Sequence, residues 1–547
     1  MKKTGIGWIF SKTKQARVFF FLLAIAGILI SIVNMGMTTI LMNLVNLAAG
    51  ETNQSLWGNV LLAVFFLILE GIMGIITAVS YRVSINRTSQ LLRQEMSMRL
   101  YRAPLIQLQS KHTGQFMTNL TTDVEQVSEC IPSILRKTIA NGLSAILALG
   151  YLFLLNWKMA LILLCTIPLL IICVASFSPV LQRTSKKDKQ NEESIRVYLQ
   201  EILDKIIILK TCNMDNAINE KMNYILCNKV SSAKRLGLVE GASAFLNNVL
   251  GTAMMMISMA GGAFFVIQGE LEVGALIGIV QLSNYIIWPF TALGDIMSKV
   301  NQSIVSAERL NEIYELPSYM QKEKQKEGTW EITDVNIIDA QFSYGDICIL
   351  DHASASFYKG YINGIIGESG SGKSTLLKII SGLYSIDQGQ ILIESNGQHI
   401  ATHDISAYCA YVPTDQLIFR DTVAGNICMA KQRDNRKLKN CAKLANIEGF
   451  IQALDEGYDT LIGDGQLNLS SGQMQRIAIA RALYQDKEII LFDEPTANLD
   501  IESIDIFIKT LNQVKEKYIC IVATHDERLK QVCSNMYEVK EKKLCKY

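Results

Sequence analysis

The sequence predicts an α-helical bundle of six membrane spans followed by an α/β domain, and three observations support this prediction. Hydrophobic residues make up 49% of the 547 residues and charged residues only 19%, which is too apolar for a purely soluble enzyme of this length. Every stretch long enough to cross about 30 Å of hydrocarbon lies before residue 300. From about Trp330, short β-rich runs alternate with helical patterns, as in a parallel sheet flanked by helices.

Six apolar stretches are the candidate spans. They cover 18–43, 57–79, 134–155, 158–177, 243–267 and 273–294. The first follows a Lys-rich start, but it exceeds the apolar region of a secretory signal peptide, so we interpret it as a retained helix. The connections after the second and fourth spans are long and rich in helix-forming residues. We therefore expect the membrane helices to extend well beyond the bilayer.

Basic residues are concentrated at the N-terminus and in the two long connections, whereas the short connections carry one Lys and no Arg. By the positive-inside rule, both chain ends and the C-terminal domain are cytoplasmic and the protein is a multi-pass protein of the cell membrane. The twelve cysteines form no CxxC pair and avoid the predicted outer segments, which indicates reduced thiols. The net charge of +1 gives no indication of a nucleic-acid partner.

The segment GESGSGKST follows an apolar strand and opens the helix TLLKIISGLY, which is the setting of a phosphate-binding loop. Glycines allow N–H groups to converge on nucleotide phosphates, and a helix N-terminus adds favourable potential. Lys373 supplies a point charge, and Ser374 is suited to bind Mg²⁺. The alternative is a chance Gly/Ser turn. The predicted phosphate loop consists of Gly367, Glu368, Ser369, Gly370, Ser371, Gly372, Lys373, Ser374 and Thr375.

A second run, IILFDEPTANLD, ends a buried strand with two carboxylates, Asp493 and Glu494. Open α/β sheets bind their ligands at this edge. Asp493 is suited to hold the Mg²⁺ shell, and Glu494 to orient and deprotonate an attacking water. Two acidic residues after a strand are more often a helix cap, so this assignment depends on the accompanying phosphate loop.

Between these motifs, LSSGQMQRIAIARAL, from Leu469 to Leu483, resembles the signature motif of ABC ATPases, and the order of the three motifs is the order of that family. Tyr344 in FSYGD looks like the aromatic residue that stacks on adenine. Asp500 in ANLD looks like the loop residue that crosses the dimer interface, and His525 in VATHD like the histidine that senses the γ-phosphate. The C-terminal domain is thus identified as a P-loop NTPase domain of ABC ATPase type that binds ATP and Mg²⁺.

In this family, ATP lies between the phosphate loop of one subunit and the signature of the other. The resemblance therefore implies that Ser470, Gly472 and Gln473 act across a dimer interface. The membrane half is similar to the ABC exporter type: TGQFMTNLTTDVEQV looks like the first coupling segment, EILDKIIILKTCNMDN like the second, and NYIIWPFTALG like the last span. The implied domains are a membrane domain at 1–300, a linker at 301–330 and an ATP-binding domain at 331–547.

Three positions depart from the family pattern. Thr414 stands where a Gln usually binds Mg²⁺ and couples the two domains, with Gln416 as a candidate substitute. Ser471 replaces the first glycine of the signature, and Asp464 stands where Glu is commoner in the loop GDGQLNLSSGQ. With Glu494 and His525 both intact, we expect at least one competent hydrolysis site, and a heterodimer with unequal sites stays open.

Glu70 lies inside the second span, and an ionisable group there costs a few kcal/mol unless it is paired or hydrated. It is a candidate for the transport path or for ordering of the bundle. Asn34, Asn43 and Asn247 are candidates for the same cavity or for helix–helix contacts. The stretch AMMMISM is a candidate substrate wall, although packing or lipid contact is the commoner role.

The sequence therefore predicts a half-transporter that uses ATP to move an unidentified substrate, with export as the predicted direction. It would act as a homodimer or with a second half-transporter chain. Because the chain starts close to its first span, we expect no N-terminal peptidase domain. Three alternatives stay open: an importer on the same fold, an ATP-regulated sensor or channel, and a soluble ATPase with a membrane anchor. The last is disfavoured, since an anchor needs one span and the sequence has six candidates.

Overall fold

The structure of the chain is a computed structural model that describes residues 5–109, 113–317, 332–395, 398–400, 402–415, 418–429, 431–463, 466–467, 469–497 and 499–547. Contacts within the chain divide it into two units. The first comprises Met1–Tyr101 and Lys111–Leu316, and the second comprises Arg102–Ser110 and Pro317–Tyr547. A short piece of the N-terminal half is therefore part of the C-terminal unit.

Helices dominate the chain up to residue 317. They are α1 (Ile6–Lys12), α2 (Arg17–Ala48), α3 (Leu56–Arg102), α4 (Leu105–Gln109), α5 (Thr113–Thr118), α6 (Val124–Leu155), α7 (Trp157–Asp204), α8 (Ile206–Thr211), α9 (Asp215–Ile267) and α10 (Val273–Tyr314). A π-helical turn, Asn119–Asp123, joins α5 to α6. All of these helices except α4 lie mainly in the first unit.

Four helical segments of the described chain are long and apolar enough to cross a membrane: Arg17–Ala48, Leu56–Arg102, Thr113–Leu155 and Asp215–Ile267. They contain the first, second, third and fifth predicted spans. The fourth and sixth spans lie in α7 and α10, whose described apolar parts are the shorter segments Trp157–Pro168 and Val273–Pro289. Six helices therefore carry the six apolar stretches, and the crossing of the membrane by α7 and α10 stays a prediction.

The length of the helices confirms that they extend beyond a bilayer. The helix α9 has 53 residues, α7 has 48 and α3 has 47. At about 1.5 Å per residue such helices are roughly 70–80 Å long, more than twice the hydrocarbon thickness. Their polar halves contain few helix-breaking residues, so the helical hydrogen bonds continue after the apolar sequence ends.

The first turn of α10 is capped by the end of α2. The Asn46 side chain accepts a hydrogen bond from Gly274 N at 2.5 Å, and Glu51 accepts one from Val273 N at 3.0 Å. These are the N–H groups that a helix start leaves without partners of its own. Close approach requires glycine here, because a Cβ on Gly274 would lie 2.2 Å from Met42 O.

The second unit contains twelve strands and seven helices beyond α4 within its described residues. They are β1 (Ile332–Tyr344), β2 (Ile347–Tyr358), β3 (Ile362–Ile366), α11 (Lys373–Ile380), β4 (Gln388–Ser395), β5 (Gln398–Ile400), β6 (Cys409–Val412), β7 (Asp421–Thr422), α12 (Val423–Cys428), α13 (Asn435–Leu444), α14 (Glu448–Gln452), β8 (Leu461–Ile462), α15 (Ser471–Gln485), β9 (Ile489–Asp493), α16 (Ile501–Val514), β10 (Ile519–Ala523), α17 (Glu527–Val532), β11 (Asn535–Lys540) and β12 (Lys543–Lys546).

A six-stranded sheet of order β12-β11-β3-β10-β9-β6 forms the centre of this unit. Its strands are parallel except for the edge strand β12. The strands β3, β9 and β10 are buried along their whole length, which explains their continuous apolar runs. A four-stranded antiparallel sheet of order β2-β1-β4-β5 lies beside it. The predicted α/β class is confirmed, with an antiparallel sheet that the alternating pattern did not predict.

Candidate ATP site

Four parallel strands deliver their carboxyl ends to one edge of the central sheet. The phosphate loop follows β3, Thr414 follows β6, Glu494 follows β9, and His525 follows β10. Because β10 pairs with both β3 and β9, the histidine segment stands between the phosphate loop and the carboxylates. The strand order therefore brings together residues that lie up to 158 positions apart in the sequence, from Gly367 to His525.

The phosphate loop has the backbone that its glycines require. Gly367, Gly370 and Gly372 have φ angles of +149°, +82° and +109°. A Cβ on Gly367 would lie 2.8 Å from Ser371 Oγ and 2.9 Å from Val539 O, so a side chain is excluded by space as well. Gly372 is the N-cap of α11, and this helix start points its free N–H groups into the loop. The predicted glycine turn at the start of a helix is present.

Lys373 is only 4% exposed, and its ammonium group is held inside the loop. Lys373 Nζ donates to Gly367 O and to Glu368 O, both at 2.9 Å, and lies 3.5 Å from Glu494 Oε1. A buried ammonium needs such partners. The ammonium charge is therefore held within the loop by the two carbonyl oxygens, beside the Glu494 carboxylate.

Asp493 is the centre of a cluster of oxygen atoms. Ser374 donates to its Oδ1 at 2.8 Å, Tyr411 donates to its Oδ2 at 2.8 Å, and Thr414 donates to its main-chain oxygen at 3.1 Å. Burial, together with the Asp493 carboxylate, raises the pKa of the Tyr411 phenol, so Tyr411 stays a hydrogen-bond donor at physiological pH.

The pair Ser374 and Asp493 fits Mg²⁺. Two neighbouring ligands of an octahedral Mg²⁺ at its usual bond lengths lie about 2.9 Å apart, and Ser374 Oγ lies 2.8 Å from Asp493 Oδ1. Both atoms are hard oxygen donors, which Mg²⁺ prefers. Among the described residues, no group of three or more His, Cys, Asp or Glu side chains is arranged to hold a metal ion. Nucleotide oxygens and waters would have to complete the coordination.

Glu494 connects the histidine to the phosphate loop. Its Oε2 lies 2.8 Å from His525 Nδ1, and its Oε1 faces Lys373 Nζ. The backbone of Glu494 is in the left-handed region, at φ +46°, and its N–H donates to Ala523 O at 2.9 Å. Non-glycine residues adopt this conformation mainly where the surroundings impose it. The fold therefore holds this carboxylate between Lys373 and His525.

Tyr344 ends β1 next to the helix that begins with the loop. Its hydroxyl lies 3.3 Å from Thr375 Oγ1, and its ring makes edge contacts with Phe342 and Tyr384 at centroid distances of 5.1 and 5.8 Å. The ring is partly exposed. The structure thus places the predicted adenine-stacking residue beside the phosphate loop.

The signature segment, Leu469–Leu483, contains the N-cap and most of α15, and its first residues form a capping box. Ser470 Oγ accepts from Gln473 N at 3.2 Å, and Gln473 Oε1 accepts from Ser470 N at 2.9 Å. Asp500 similarly caps α16 by accepting from Ser503 N at 3.0 Å. These hydrogen bonds stay within their own helix starts, whereas Lys373 and Glu494 bond within the phosphate site.

Two of the positions that depart from the family pattern, Thr414 and Ser471, lie within the described residues. Thr414 is part of the Asp493 cluster, and Ser471 is the first residue of α15 and is partly buried. A serine is tolerated at a helix start, where its small side chain meets no preceding turn. Gln416 and Asp464 lie outside the described residues.

We expect Thr414→Gln to lower the Mg²⁺ concentration that gives half-maximal ATP hydrolysis. The longer side chain would offer an amide oxygen as a further ligand beside Ser374 and Asp493, and one such contact contributes about 1 kcal/mol, roughly five-fold in affinity. The measurement is a Mg²⁺ titration of ATPase activity, with Thr414→Val as the control that removes only the hydroxyl. An unchanged midpoint in Thr414→Gln would contradict this expectation.

The candidate transport-path residues of the membrane half differ in how far they are exposed within the chain. Glu70 is exposed on α3, and Asn34, Asn43 and Asn247 are partly buried. Met254 is packed in a buried cluster, whereas Met255, Met256 and Met259 are 46–67% exposed within the chain. The methionine stretch therefore has one packing face and one outward face, and its role as a substrate wall stays a prediction.

The sequence analysis predicted neither the contact of Tyr411 with Asp493 nor the assignment of the segment 102–110 to the second unit. Tyr411, in AYVP, has the appearance of a core residue of β6, and only the pairing of β6 with β9 brings it to Asp493. The segment 102–110 belongs to the second unit, whereas the predicted first coupling segment, TGQFMTNLTTDVEQV, begins three residues later and belongs to the first. The assignment of TGQFMTNLTTDVEQV as the first coupling segment stays a prediction.

Comparison with known proteins gives two family matches. Residues 17–290 match the ABC transporter transmembrane region, and residues 350–497 match the ABC transporter domain. Over 511 residues, the chain is 30% identical to a probable ABC transporter ATP-binding/permease protein of Haemophilus influenzae and covers 90% of each chain. It is 25% identical over 493 residues to an ATP-dependent lipid A-core flippase of Desulfotalea psychrophila, covering 89% of this chain and 85% of that one.

A further relative is the alpha-hemolysin translocation ATP-binding protein HlyB of Escherichia coli O157:H7, at 27% identity over 451 residues. The match covers 80% of this chain and 63% of HlyB. Among solved structures, a bacterial Atm1-family ABC exporter with ATP bound has the same fold, with a TM-score of 0.79 at 20% identity. That match covers 97% of this chain and 94% of the exporter chain.

Proposed function

The chain belongs to the ABC transporter family as a half-transporter that couples ATP hydrolysis to transport, and on this premise we propose that two such chains enclose two ATP molecules. Each ATP would lie between the phosphate loop of one chain and the signature segment of the other. The observation that carries this proposal is the bonding of the two groups: Ser470 and Gln473 bond to each other at their own helix start, and among the described residues no hydrogen bond joins them to Lys373 or Glu494.

Each residue of the site then has a defined role. Lys373 and the N–H groups of the phosphate loop would hold the β- and γ-phosphates, and Tyr344 would stack on adenine. Ser374 and Asp493 would hold Mg²⁺, which neutralises phosphate charge when it is bound. Glu494 would orient and deprotonate the attacking water, with His525 fixing its carboxylate. Ser470, Gly472, Gln473 and Asp500 would complete the site from the partner.

Nucleotide binding would replace contacts that these residues make with one another. In the structure Lys373 is bonded to the loop carbonyls and Ser374 to Asp493. A phosphate would offer Lys373 a stronger charge-assisted partner, and Mg²⁺ would take Ser374 and Asp493 as ligands. Closure of the two ATP-binding domains would then drive the membrane helices towards the outward-open state. The substrate is unidentified.

We propose export from the cytoplasm across the cell membrane, with the ATP-binding domain on the cytoplasmic side. The basic N-terminus and the basic long connections support this orientation. The relatives include a lipid A-core flippase, a hemolysin translocation protein and an Atm1-family exporter. This set favours export over the importer and sensor alternatives.

The shared-site proposal is tested by pairing two lesions, Lys373→Met in the phosphate loop and Ser470→Arg in the signature. Two differently tagged forms of the chain are co-expressed, and the mixed pairs are purified into lipid nanodiscs. If ATP is bound between two chains, a pair with one lesion on each chain keeps one intact site. A pair with both lesions on one chain and none on the other keeps no intact site. The readout is ATPase activity of each mixed pair.

The opposite result, activity only when both lesions are on one chain, would overturn the proposal, because it would mean that loop and signature act within one chain. The unmutated chain purified alone gives the reference. Its activity shows whether the homodimer is competent, and a folded but inactive chain would indicate that a different half-transporter completes the pair.

A further inference from the structure

Tyr384 occupies a central position between the ATP site and the segment 102–110. It follows α11 directly, and its main-chain N–H donates to Lys378 O at 3.2 Å, so it is fixed to the end of the phosphate-loop helix. The residue is only 4% exposed. Its ring stacks on Phe342 with a centroid distance of 5.5 Å and an interplanar angle of 4°. Tyr384 is therefore packed in the core of the second unit.

A second side of the residue faces the nucleotide site. The ring of Tyr344, the proposed adenine platform, meets Tyr384 edge to face at 5.8 Å, and Tyr344 also contacts Thr375 of the phosphate loop. The adenine side of the proposed site thus reaches this residue.

The third side faces the segment 102–110. Tyr384 donates a hydrogen bond to Gln109 Oε1 at 2.5 Å. Leu105 and Ile106 of the same segment pack against the hydrophobic core that contains Tyr384. The segment follows α3 and precedes α5 in the chain, so any displacement of it acts directly on the ends of these two helices.

We propose that Tyr384 is a positioning residue that transmits nucleotide occupancy to the segment 102–110 through its hydrogen bond to Gln109. This inference rests on the proposed function, because it requires that nucleotide binds at Tyr344 and Asp493. The usual coupling glutamine is absent from position 414. The Thr414 hydroxyl is short and already donates to Asp493 O. The phenol of Tyr384 provides a connection that Thr414 does not.

The proposed signal runs from Tyr344 through Tyr384 to Gln109. Stacking of adenine on Tyr344 changes the edge-to-face contact between Tyr344 and Tyr384. Edge-to-face rings and hydrogen bonds tolerate little reorientation without loss. Gln109 therefore follows the phenol, and its segment is held more firmly when nucleotide is bound.

The test is hydrogen exchange measured by mass spectrometry on the full chain in nanodiscs, with and without the nonhydrolysable nucleotide AMP-PNP and Mg²⁺. In the unmutated chain we expect the nucleotide to slow exchange both in the phosphate loop and in residues 102–109. We expect Tyr384→Phe to keep the slowing in the loop and to lose it in 102–109. The expected loss is roughly five-fold, the factor contributed by one net hydrogen bond.

Matched variants separate the hydrogen bond from a structural effect. Tyr361→Phe removes an exposed hydroxyl of the same unit. It should leave the nucleotide-dependent slowing of exchange unchanged both in the phosphate loop and in residues 102–109. Gln109→Glu keeps an acceptor oxygen and should preserve the slowing, whereas Gln109→Leu should abolish it. The double variant Tyr384→Phe with Gln109→Leu should lose no more than either single variant, because both remove one shared contact.

The inference would be overturned if the nucleotide still slowed hydrogen exchange of residues 102–109 in Tyr384→Phe. Additive losses of this slowing in the double variant would also overturn it. If the nucleotide slows exchange in neither region of the unmutated chain, the proposed function fails and the inference fails with it. The phosphate loop distinguishes these two failures. If the nucleotide still slows hydrogen exchange in the loop of every variant, nucleotide binding is intact and only the inference about Tyr384 fails.

Discussion

Glu494→Gln is expected to reduce Mg²⁺-dependent ATP hydrolysis by roughly 10²- to 10⁴-fold, the range that a positioned general base contributes. The amide keeps the shape of the carboxylate and an acceptor oxygen, but it does not take a proton from water. Because the main-chain bond from Glu494 N to Ala523 O is unaffected, the strained turn that aims the side chain should be preserved. ATP binding should therefore be retained.

The measurement is ATPase activity of the purified chain in lipid nanodiscs, together with binding of a fluorescent ATP analogue. Glu516→Gln is the matched control, since Glu516 is an exposed carboxylate of the same unit outside the site. Hydrolysis within a few-fold of the unmutated chain would show that Glu494 is not the base. His525 would then be the next candidate, because its ring contacts the same carboxylate.

The sequence was most informative where a short contiguous motif coincides with the end of a strand. The phosphate loop, IILFDEP and VATHD each contain the residue and the structural element that positions it, so their secondary structure could be predicted directly. The pairing of Glu494 with His525 could not be, because it depends on β10 lying between β3 and β9. Strand order arises from long-range packing, which local patterns do not encode.

Two further features could not be predicted from the sequence, because they too depend on long-range packing. Tyr411 lies in a buried strand, where a tyrosine is usually a packing residue, and only the register of β6 against β9 brings its hydroxyl to Asp493. The segment 102–110 is too short for a hydrophobic period to predict its partner. Its assignment to the second unit follows from Leu105 and Ile106, whose apolar side chains meet the core around Tyr384.

Lys373→Met is the second variant with a large expected effect. Removing one preorganised cation from a phosphoryl-transfer site typically costs roughly 10²- to 10³-fold in rate. The ammonium is buried and held by Gly367 O and Glu368 O, so no nearby flexible lysine can replace it without rebuilding the loop. In contrast to Glu494→Gln, this change should weaken nucleotide binding as well as hydrolysis, because the charge contacts the phosphates before the reaction begins.

Comparing the two variants separates binding from chemistry. Titration with the fluorescent ATP analogue should show near-normal affinity for Glu494→Gln and clearly reduced affinity for Lys373→Met. Lys543→Met, on an exposed strand at the far edge of the sheet, controls for loss of positive charge. Methionine has nearly the length of lysine and fills the space of its apolar stem, so the variant should melt close to the unmutated chain. Normal nucleotide affinity in a folded Lys373→Met chain would contradict the proposed role of this loop, since no other cation contacts its carbonyl groups among the described residues.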